Sequence, residues 1–198
     1  MKLIFATNNQ HKVDEIQSAI GDQVKVISLS QAGINIDIPE PHETLEDNAS
    51  EKSGAIRMIT GMNCFSEDTG LEVDALHGEP GVKSARYAGN EKSFDNNIEK
   101  LLGNLNQEAN RQAQFRTVIS LRLDEKEFFF EGICRGTIIR DARGEGGFGY
   151  DPVFVPEGSQ LTFAEMSMEE KNKFSHRRKA ADQLVNFLRA GHFEGKSQ

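Results

Sequence analysis

The sequence is poor in the features that mark secreted, membrane-spanning and nucleic-acid-binding proteins. Its two cysteines, Cys64 and Cys134, fit no metal-binding spacing, so we expect buried thiols in a reducing compartment. The apolar runs are only a few residues long, which is too short to span a bilayer. Acidic residues outnumber lysine and arginine by 31 to 23, and the net charge of −8 disfavours broad binding to nucleic acid.

The organisation of the chain predicts one cytoplasmic domain. The strand-like run at residues 3–5 follows the first two residues directly, which leaves no room for a signal peptide. No repeat, low-complexity tract or linker divides the sequence, and 198 residues suffice to bury a real core. We therefore expect a single domain over residues 1–198, with no membrane or nucleic acid among its partners.

Hydrophobic periodicity predicts an α/β fold. Strands are expected over residues 2–6, 24–29, 113–123 and 128–140, and helices over residues 11–20, 45–60, 93–102 and from about 176. The strands 113–123 and 128–140 should form a long hairpin with one solvated face. The inward stripe of the second helix should consist of Leu45, Asn48, Ala49, Lys52, Ile56 and Ile59. Lys52 would then either snorkel to solvent or reach into a cleft and meet a phosphate.

The stretch from residue 66 to residue 89 carries the densest functional signal. Glu67 and Asp68 precede Thr69-Gly70, which predicts that the acids lie where a strand ends in a turn, with a second short strand after it. One interpretation is a solvated turn with acids that cap helices. The other is a carboxylate metal site, with Arg86 nearby to meet an anion.

Two predicted helices begin with cations, which the helix dipole disfavours. His11 and Lys12 open the first helix, and a cluster from His176 to Lys179 opens the last one. A bound anion would remove that penalty, so both starts are candidate phosphate sites, although the P-loop pattern is absent. Ordinary solvated loops are the alternative at both places.

A glycine-rich loop at residues 141–150 surrounds Phe148. Four glycines within six residues let the backbone approach a ligand closely, and the exposed ring could stack on a base. A hairpin-like surface loop is the alternative. Acids for a divalent cation, basic residues for phosphates and an aromatic for a flat ring together suggest a metal-bound nucleoside polyphosphate.

Six motifs follow one another over nearly the whole chain: ATNNQHKVDEI, SEDTGLEVDAL, PGVKSARYAG, FEGICRGTI, GEGGFGYDPVF and SHRRKA. Together they resemble the inosine triphosphate pyrophosphatase family. The resemblance implies Mg²⁺-dependent hydrolysis of non-standard purine nucleoside triphosphates (ITP, dITP, XTP) to the monophosphate and pyrophosphate. It also implies an elongated mixed central sheet flanked by helices, two lobes with an active-site cleft between them, and a homodimer.

The resemblance also assigns roles by motif position. Asp68 would be the proton acceptor and a metal ligand, and Glu40 the second metal ligand, chosen over Asp37 and Glu43 by its spacing to Asp47-Asn48. The substrate would be bound by Thr7, Asn8, Asn9, Gln10, His11, Lys12, Lys52, Thr69, Arg86, Phe148, Gly149, Tyr150, Asp151, Lys171, His176 and Arg177. The Asn8-Asn9 pair departs from the glycine common at this loop in the family.

Two other functions compete with this hypothesis. One is a nucleotide sensor that binds without turnover, although a sensor has no need of the water-activating acids Glu67, Asp68 and Glu40. The other is a pyrophosphatase of the related Maf-like group that acts on pyrimidine or modified nucleotides. The Ser-His-Arg motif and the glycine-flanked Phe148 favour purines.

Overall fold

The computed structural model of the chain describes residues 2–91 and 93–190, which contain both strands and helices. The strands in these residues are β1 (Lys2–Phe5), β2 (Lys25–Ile27), β3 (Cys64–Val73), β4 (Pro80–Gly81), β5 (Gln112–Leu123), β6 (Lys126–Ile138) and β7 (Phe154–Pro156). The helices are α1 (Gln10–Ile20), α2 (Leu45–Thr60), α3 (Phe94–Asn104), α4 (Met168–Lys171) and α5 (His176–Arg189).

Hydrogen bonds join these strands into one mixed sheet in the order β2-β1-β3-β5-β6-β7, with β4 beside β3. β1 pairs in parallel with both β2 and β3, whereas β3 with β4 and β6 with β7 are antiparallel pairs. The predicted α/β class with a mixed sheet is confirmed. No helix in the described part of the chain is long and apolar enough to cross a membrane.

The chain divides into two compact units. The first contains residues 1–68, 118–132 and 177–198, and the second contains residues 69–117 and 133–176. Strands β3, β5 and β6 each pass from one unit into the other. The single domain and the cleft expected from the sequence stay predictions.

The first unit is built around apolar residues of β1, β3 and the helices α1 and α5. Val13, Ile16 and Ile20 of α1 are buried, and the stacked rings of Phe5 and Phe65 lie 4.5 Å apart in the same cluster. Asn9 caps α1 by accepting a hydrogen bond from the amide of Lys12, and the helix ends at Gly21 as predicted.

Helix α2 follows its predicted bounds because both ends carry strong signals. Thr44 accepts a hydrogen bond from the amide of Asp47 at the start, and Gly61 adopts φ 63° at the end. The predicted stripe is buried from Leu45 to Ile56, but Ile59 is 59 % exposed and was wrongly included. The buried face ends one turn early because the last turn extends past the core, where Met58 is also exposed.

The course of β3 corrects the prediction for the acidic stretch. Glu67 and Asp68 lie in the middle of one ten-residue strand, so no turn follows them and residues 71–74 form no second strand. The misleading signal was Gly70. A Cβ at this residue would lie 2.8 Å from the carbonyl oxygen of Gly81, so glycine serves the close approach of β4 here.

The long hairpin of β5 and β6 is confirmed, but its second face is not simply solvated. In the first unit the hydroxyl of Ser120 is buried and lies 2.6 Å from the hydroxyl of Ser53 on α2. Arg122 donates to the hydroxyl of Ser50 on the same helix. Small hydroxyl side chains therefore let α2 pack on a face that looked solvent-exposed in the sequence.

The second unit has its own core, rich in aromatic side chains. The ring of Phe115 lies 4.7 Å from the ring of Phe154 and 6.1 Å from that of Phe163. Leu71, Leu101 and further buried apolar residues complete the cluster. Both cysteines are buried free thiols, as predicted, and Cys134 belongs to this cluster.

The close approach at Gly70 gives a stability prediction. We expect Gly70→Ala to lower the free energy of unfolding by about 1–3 kcal/mol, because the added methyl group would overlap the backbone of β4. Gly103→Ala in α3 is the matched control, since its Cβ would meet nothing within 4 Å and should stabilise by about 0.4–1 kcal/mol. Urea unfolding of both variants is the measurement, and equal effects would contradict the steric interpretation.

Candidate active site

The loop between β1 and α1 is shaped by its own side chains. The hydroxyl of Thr7 accepts a hydrogen bond from the amide of Asn9 at 3.1 Å, and Asn9 in turn caps the helix. Asn8, Gln10 and His11 are exposed. The first turn of α1 contains no acidic residue, so the positive end of the helix dipole is available to an anion.

Next to this loop, a buried network alternates positive and negative charges. Glu67 accepts from Nε and Nη2 of Arg177 at 2.7 and 2.9 Å, and its Oε1 lies 3.0 Å from Nζ of Lys12. Nη1 of Arg177 binds the carboxylate of Glu15. Two cations thus balance two anions, although the side chains of Arg177 and Glu67 are 2 % and 0 % exposed.

The network keeps Glu67 ionised. Burial alone would raise its pKa, but the charges of Arg177 and Lys12 outweigh burial and hold the pKa of Glu67 well below its usual range. A carboxylate in this state is a poor proton acceptor. Glu67 therefore serves to hold Lys12 and Arg177.

Asp68, the next residue of β3, has a different environment. Its Oδ1 accepts from Nζ of Lys52 at 3.1 Å, and Lys52 also donates to Glu40 at 2.5 Å. Oδ2 of Asp68 is buried and has no hydrogen-bond partner among the described residues. Burial raises the pKa of Asp68 above its usual value, against the charges of Lys52 and Lys12.

Lys52 stays charged in this site. Burial opposes its charge, but the carboxylates of Asp68 and Glu40 outweigh burial and raise the pKa of Lys52. Of the two interpretations left open by the sequence, snorkelling to solvent is wrong, because Lys52 is only 6 % exposed. Its ammonium group lies between two acids, and its predicted contact with phosphate stays a prediction.

Asp68 and Glu40 suit a metal ion that takes only one or two ligands from the protein and the others from water or substrate. Among residues 2–91 and 93–190, no group of three or more histidine, cysteine or acidic residues could hold a metal ion alone. Mg²⁺ is commonly bound by one or two carboxylates together with substrate phosphates and water. The unpartnered oxygen of Asp68 and the nearby carboxylate of Glu40 fit that requirement.

In the second unit, the glycine-rich loop folds back on itself, and the carboxylate of Asp151 holds it in that conformation. Oδ2 of Asp151 accepts from the amide of Phe148 at 2.9 Å and from Nζ of Lys171 at 2.7 Å. Nζ of Lys171 also lies 5.4 Å from the centre of the Phe148 ring. Gly149 adopts φ 62°, a backbone conformation that glycine tolerates best, and it lets the loop turn back.

Other predicted site residues of this unit lie in packed surroundings. The ring of His176 stacks on Phe115 with centroids 4.7 Å apart and is 3 % exposed. The hydroxyl of Thr69 lies 2.6 Å from that of Thr117. Arg86 ends the 3₁₀ turn Ser84–Arg86, and Tyr150 is buried with its hydroxyl bound to the carbonyl of Ser84.

The predicted site residues therefore fall into two sets. The first unit holds Thr7, Asn8, Asn9, Gln10, His11, Lys12, Glu40, Lys52, Asp68 and Arg177, and the second holds Thr69, Arg86, Phe148, Gly149, Tyr150, Asp151, Lys171 and His176. Sequence reasoning missed Glu15, although an acid beside Ile16 on the apolar side of α1 was a weak signal. The predicted contact of Arg177 with a base stays a prediction, and the contacts described above are with carboxylates.

Fold and site together define an α/β protein with buried acids and lysines suited to phosphate chemistry. A sequence model of the Ham1 family matches residues 3–187. The chain belongs to the Ham1 family. It is 48 % identical over 189 residues to a protein of Flavobacterium psychrophilum named dITP/XTP pyrophosphatase, covering 96 % of this chain and 100 % of that one. Identity to the equally named protein of Porphyromonas gingivalis is 51 % over 188 residues, covering 94 % and 97 % of the two chains.

Solved structures agree with this assignment. The Staphylococcus aureus Ham1 protein superposes with a TM-score of 0.86 at 41 % identity, covering 96 % of this chain and 99 % of that one. A Ham1 protein from Coxiella burnetii gives 0.87 at 35 % identity with the same coverage. The resemblance found in the sequence motifs is confirmed.

The contribution of the buried charge network to stability can be tested by replacing two adjacent arginines, Arg177 and Arg178, one at a time. We expect Arg177→Ala to lower the free energy of unfolding by about 3–5 kcal/mol, because it leaves Glu15 and Glu67 buried without their guanidinium partner. Arg178→Ala should change it by less than about 1 kcal/mol, since Arg178 pairs with Asp182 at the surface. Guanidinium unfolding separates the two, and equal losses would mean that α5 as a whole, and not the buried charge, sets the effect.

Proposed function

We propose that the chain hydrolyses non-standard purine nucleoside triphosphates, namely ITP, dITP and XTP, to the nucleoside monophosphate and pyrophosphate. The names of the relatives with 48 % and 51 % identity support this substrate class. The observation that carries the reaction is the environment of Asp68, whose second oxygen is buried without a hydrogen-bond partner in the described residues. Hydrolysis to the monophosphate would remove deaminated purines from the pool of nucleoside triphosphates.

Asp68 is the proton acceptor in this proposal. Its neighbour Glu67 is occupied by Lys12 and Arg177 and has a lowered pKa, whereas burial raises the pKa of Asp68. The oxygen of water forms a bond to the α-phosphorus, and a proton of that water passes to Asp68. The bond between the α-phosphorus and the oxygen that links it to the β-phosphate breaks, and pyrophosphate leaves with that oxygen and the electron pair.

Lys12 and the start of α1 would bind the phosphates. Lys12 is 19 % exposed at its side chain and is held in place by Glu67, so its position is fixed before a substrate arrives. Exposed amides at the helix start add the positive end of the dipole. Lys52 would act beside them, because it remains charged between Glu40 and Asp68.

Magnesium is the metal we propose, with Glu40 and Asp68 as its protein ligands. When bound, it supplies positive charge that stabilises the negative charge developing on the pyrophosphate. The ammonium group of Lys52 would also stabilise part of this negative charge, because it remains protonated. The close pairing of one lysine with both acids supports the assignment of Glu40 over Asp37 and Glu43.

Recognition of the base is assigned to the glycine-rich loop of the second unit, and the family pattern adds Arg177 as a separate candidate for reading the base. Phe148 offers a ring for stacking, and Nζ of Lys171 lies 5.4 Å from the centre of that ring. His176, which stacks on Phe115, completes the base pocket in the family pattern. Arginine carries only donors, so it suits a 6-keto oxygen and not a 6-amino group. A mispaired polar group in a dry pocket can discriminate by ~10⁴ or more, which would reject ATP.

The homodimer and the cytoplasmic location also belong to this proposal. The homodimer is what the family resemblance implies, and the cytoplasmic location is expected from the composition. Neither is needed for the reaction at Asp68. Sedimentation equilibrium of the purified chain would measure the assembly state directly.

The reaction type can be tested by its product. With Mg²⁺ present, ITP, dITP and XTP should release pyrophosphate and no orthophosphate, while ATP, CTP and UTP should react far more slowly. EDTA should abolish turnover, and added Mg²⁺ should restore it. Stepwise release of orthophosphate would place the reaction in another class, preferred turnover of pyrimidine nucleotides would favour a Maf-like activity, and binding of XTP without turnover would indicate a sensor.

The role of Asp68 can be tested by a nearly isosteric change. Asp68→Asn cannot accept the proton and binds metal poorly, so kcat for XTP should fall by at least ~10². Asp182→Asn, an exposed acid paired with Arg178, is the matched control and should keep the wild-type rate. A near-wild-type kcat for Asp68→Asn would transfer the proton-accepting role to another acid of the site.

A further inference from the structure

The side chain of Tyr150 is held inside the second unit. It is 3 % exposed, and its hydroxyl donates a hydrogen bond to the carbonyl oxygen of Ser84 at 2.8 Å. Burial, with a smaller contribution from Tyr87, raises the pKa of Tyr150 well above its usual range, so the hydroxyl keeps its proton and donates. The family pattern places Tyr150 among the substrate-binding residues, but this hydroxyl is directed at the protein.

The carbonyl of Ser84 belongs to the turn that carries Arg86, and this turn is fixed from several sides. The hydroxyl of Ser84 accepts from the amide of Leu71 in β3 at 2.9 Å and donates to the carbonyl of Gly81 in β4 at 2.6 Å. Asn97 of α3 donates to the carbonyls of Ser84 and Ala85 at 3.4 and 3.2 Å. Hydrogen bonds with β3, β4 and α3 therefore hold the turn in a defined position.

Tyr150 adds a partner of another kind, because it comes from the loop that carries Phe148 and Asp151. That loop is internally braced, since the amide of Phe148 donates to Asp151 and the amide of Asp151 donates to the carbonyl of Phe148. The amide of Val153 also donates to the carbonyl of Tyr150 at 3.0 Å. Because the loop and the turn are each held by internal hydrogen bonds, the bond from Tyr150 to Ser84 fixes the distance between the glycine-rich loop and the turn that carries Arg86.

We propose that Tyr150 is a positioning residue that couples the loop carrying Phe148 to the turn carrying Arg86. The inference rests on the proposed function, in which Phe148 stacks on the base, and on the expectation from the sequence that Arg86 meets an anion of the substrate. A fixed separation of these side chains before binding reduces the ordering that a nucleotide must impose on the protein. Tyr150 thus acts on affinity for the whole nucleotide without contacting it.

Removal of one hydroxyl tests this role. Tyr150→Phe keeps the ring in the apolar cluster and deletes only the bond to Ser84. We expect KM for XTP to rise about fivefold to tenfold, with kcat within twofold of wild type, because positioning for binding is lost and the reacting groups are unchanged. An unchanged KM would overturn the proposal.

Tyr87→Phe is the matched control. Tyr87 is another buried tyrosine of the same apolar cluster, and its hydroxyl bonds with Asn104 and Glu79 and not with the carbonyl of Ser84. Loss of this hydroxyl should change stability to a similar extent and leave KM within twofold. A rise in KM equal to that of Tyr150→Phe would mean general loosening of the cluster and would overturn the specific coupling.

A double-mutant cycle identifies the route of the effect. If Tyr150 acts through the turn, adding Tyr150→Phe to Arg86→Ala should change kcat/KM for XTP by less than twofold, since the arginine to be positioned is gone. A full fivefold to tenfold effect in the Arg86→Ala background would show that the hydroxyl does not act through Arg86. That result would overturn the proposal.

Hydrogen exchange gives a readout that needs no turnover. Without any ligand, the amides of residues 84–88 should exchange at least about threefold faster in Tyr150→Phe than in wild type, and Tyr87→Phe should leave them unchanged. If the wild type failed to hydrolyse XTP while this difference was present, the proposed function would fail and the structural coupling would stand. Equal exchange in wild type and Tyr150→Phe would overturn the coupling itself.

Discussion

Two buried carboxylates share one guanidinium in the first unit, and the geometry of the reactive residues depends on that contact. Arg177 satisfies Glu15 and Glu67 together, and Glu67 can then hold Lys12 at the start of α1. Without the arginine, Glu67 would keep Lys12 and Glu15 would lose its guanidinium partner, and an uncompensated buried charge costs several kcal/mol. With Glu67 committed in this way, the adjacent Asp68 is left as the carboxylate with an available oxygen. Neighbouring acids on one strand thus differ in environment because their partners differ.

Local signals allowed much of the fold to be predicted. Thr44 and Gly61 mark the ends of α2 because capping depends on a few consecutive residues, and the alternation in β5 reports burial of one face directly. Gly70 misled for the same reason. A glycine signals both a turn and a close approach of two backbones, and only the position of Gly81 distinguishes them. Likewise, Ser120 looked solvent-facing because the helix that covers it lies 67 residues away in sequence.

The site was predictable as a set of residue types and not as a set of contacts. Cations crowded at two helix starts predicted a bound anion, and that stays a prediction. In the structure Lys12 and Arg177 both bind a carboxylate of the protein, Glu67, which the sequence pattern did not indicate. Glu15 carried no distinguishing pattern, because one acid within a helix has the same local signal whether it is exposed or paired. Lys52 was placed on the correct face, and its two acidic partners decided between the interpretations.

The spacing of this network along the chain also bears on how the molecule is made. Arg177 follows Glu67 by 110 residues and Glu15 by 162 residues. During synthesis both acids leave the ribosome long before the residue that neutralises them, so the interior of the first unit cannot close around them until nearly all of the described chain is available. Contacts this distant in sequence slow folding and prolong the exposure of unfinished surfaces. A nascent or truncated chain that lacks α5 would therefore lack the guanidinium that binds both acids, and Glu67 would be left with Lys12 as a partner.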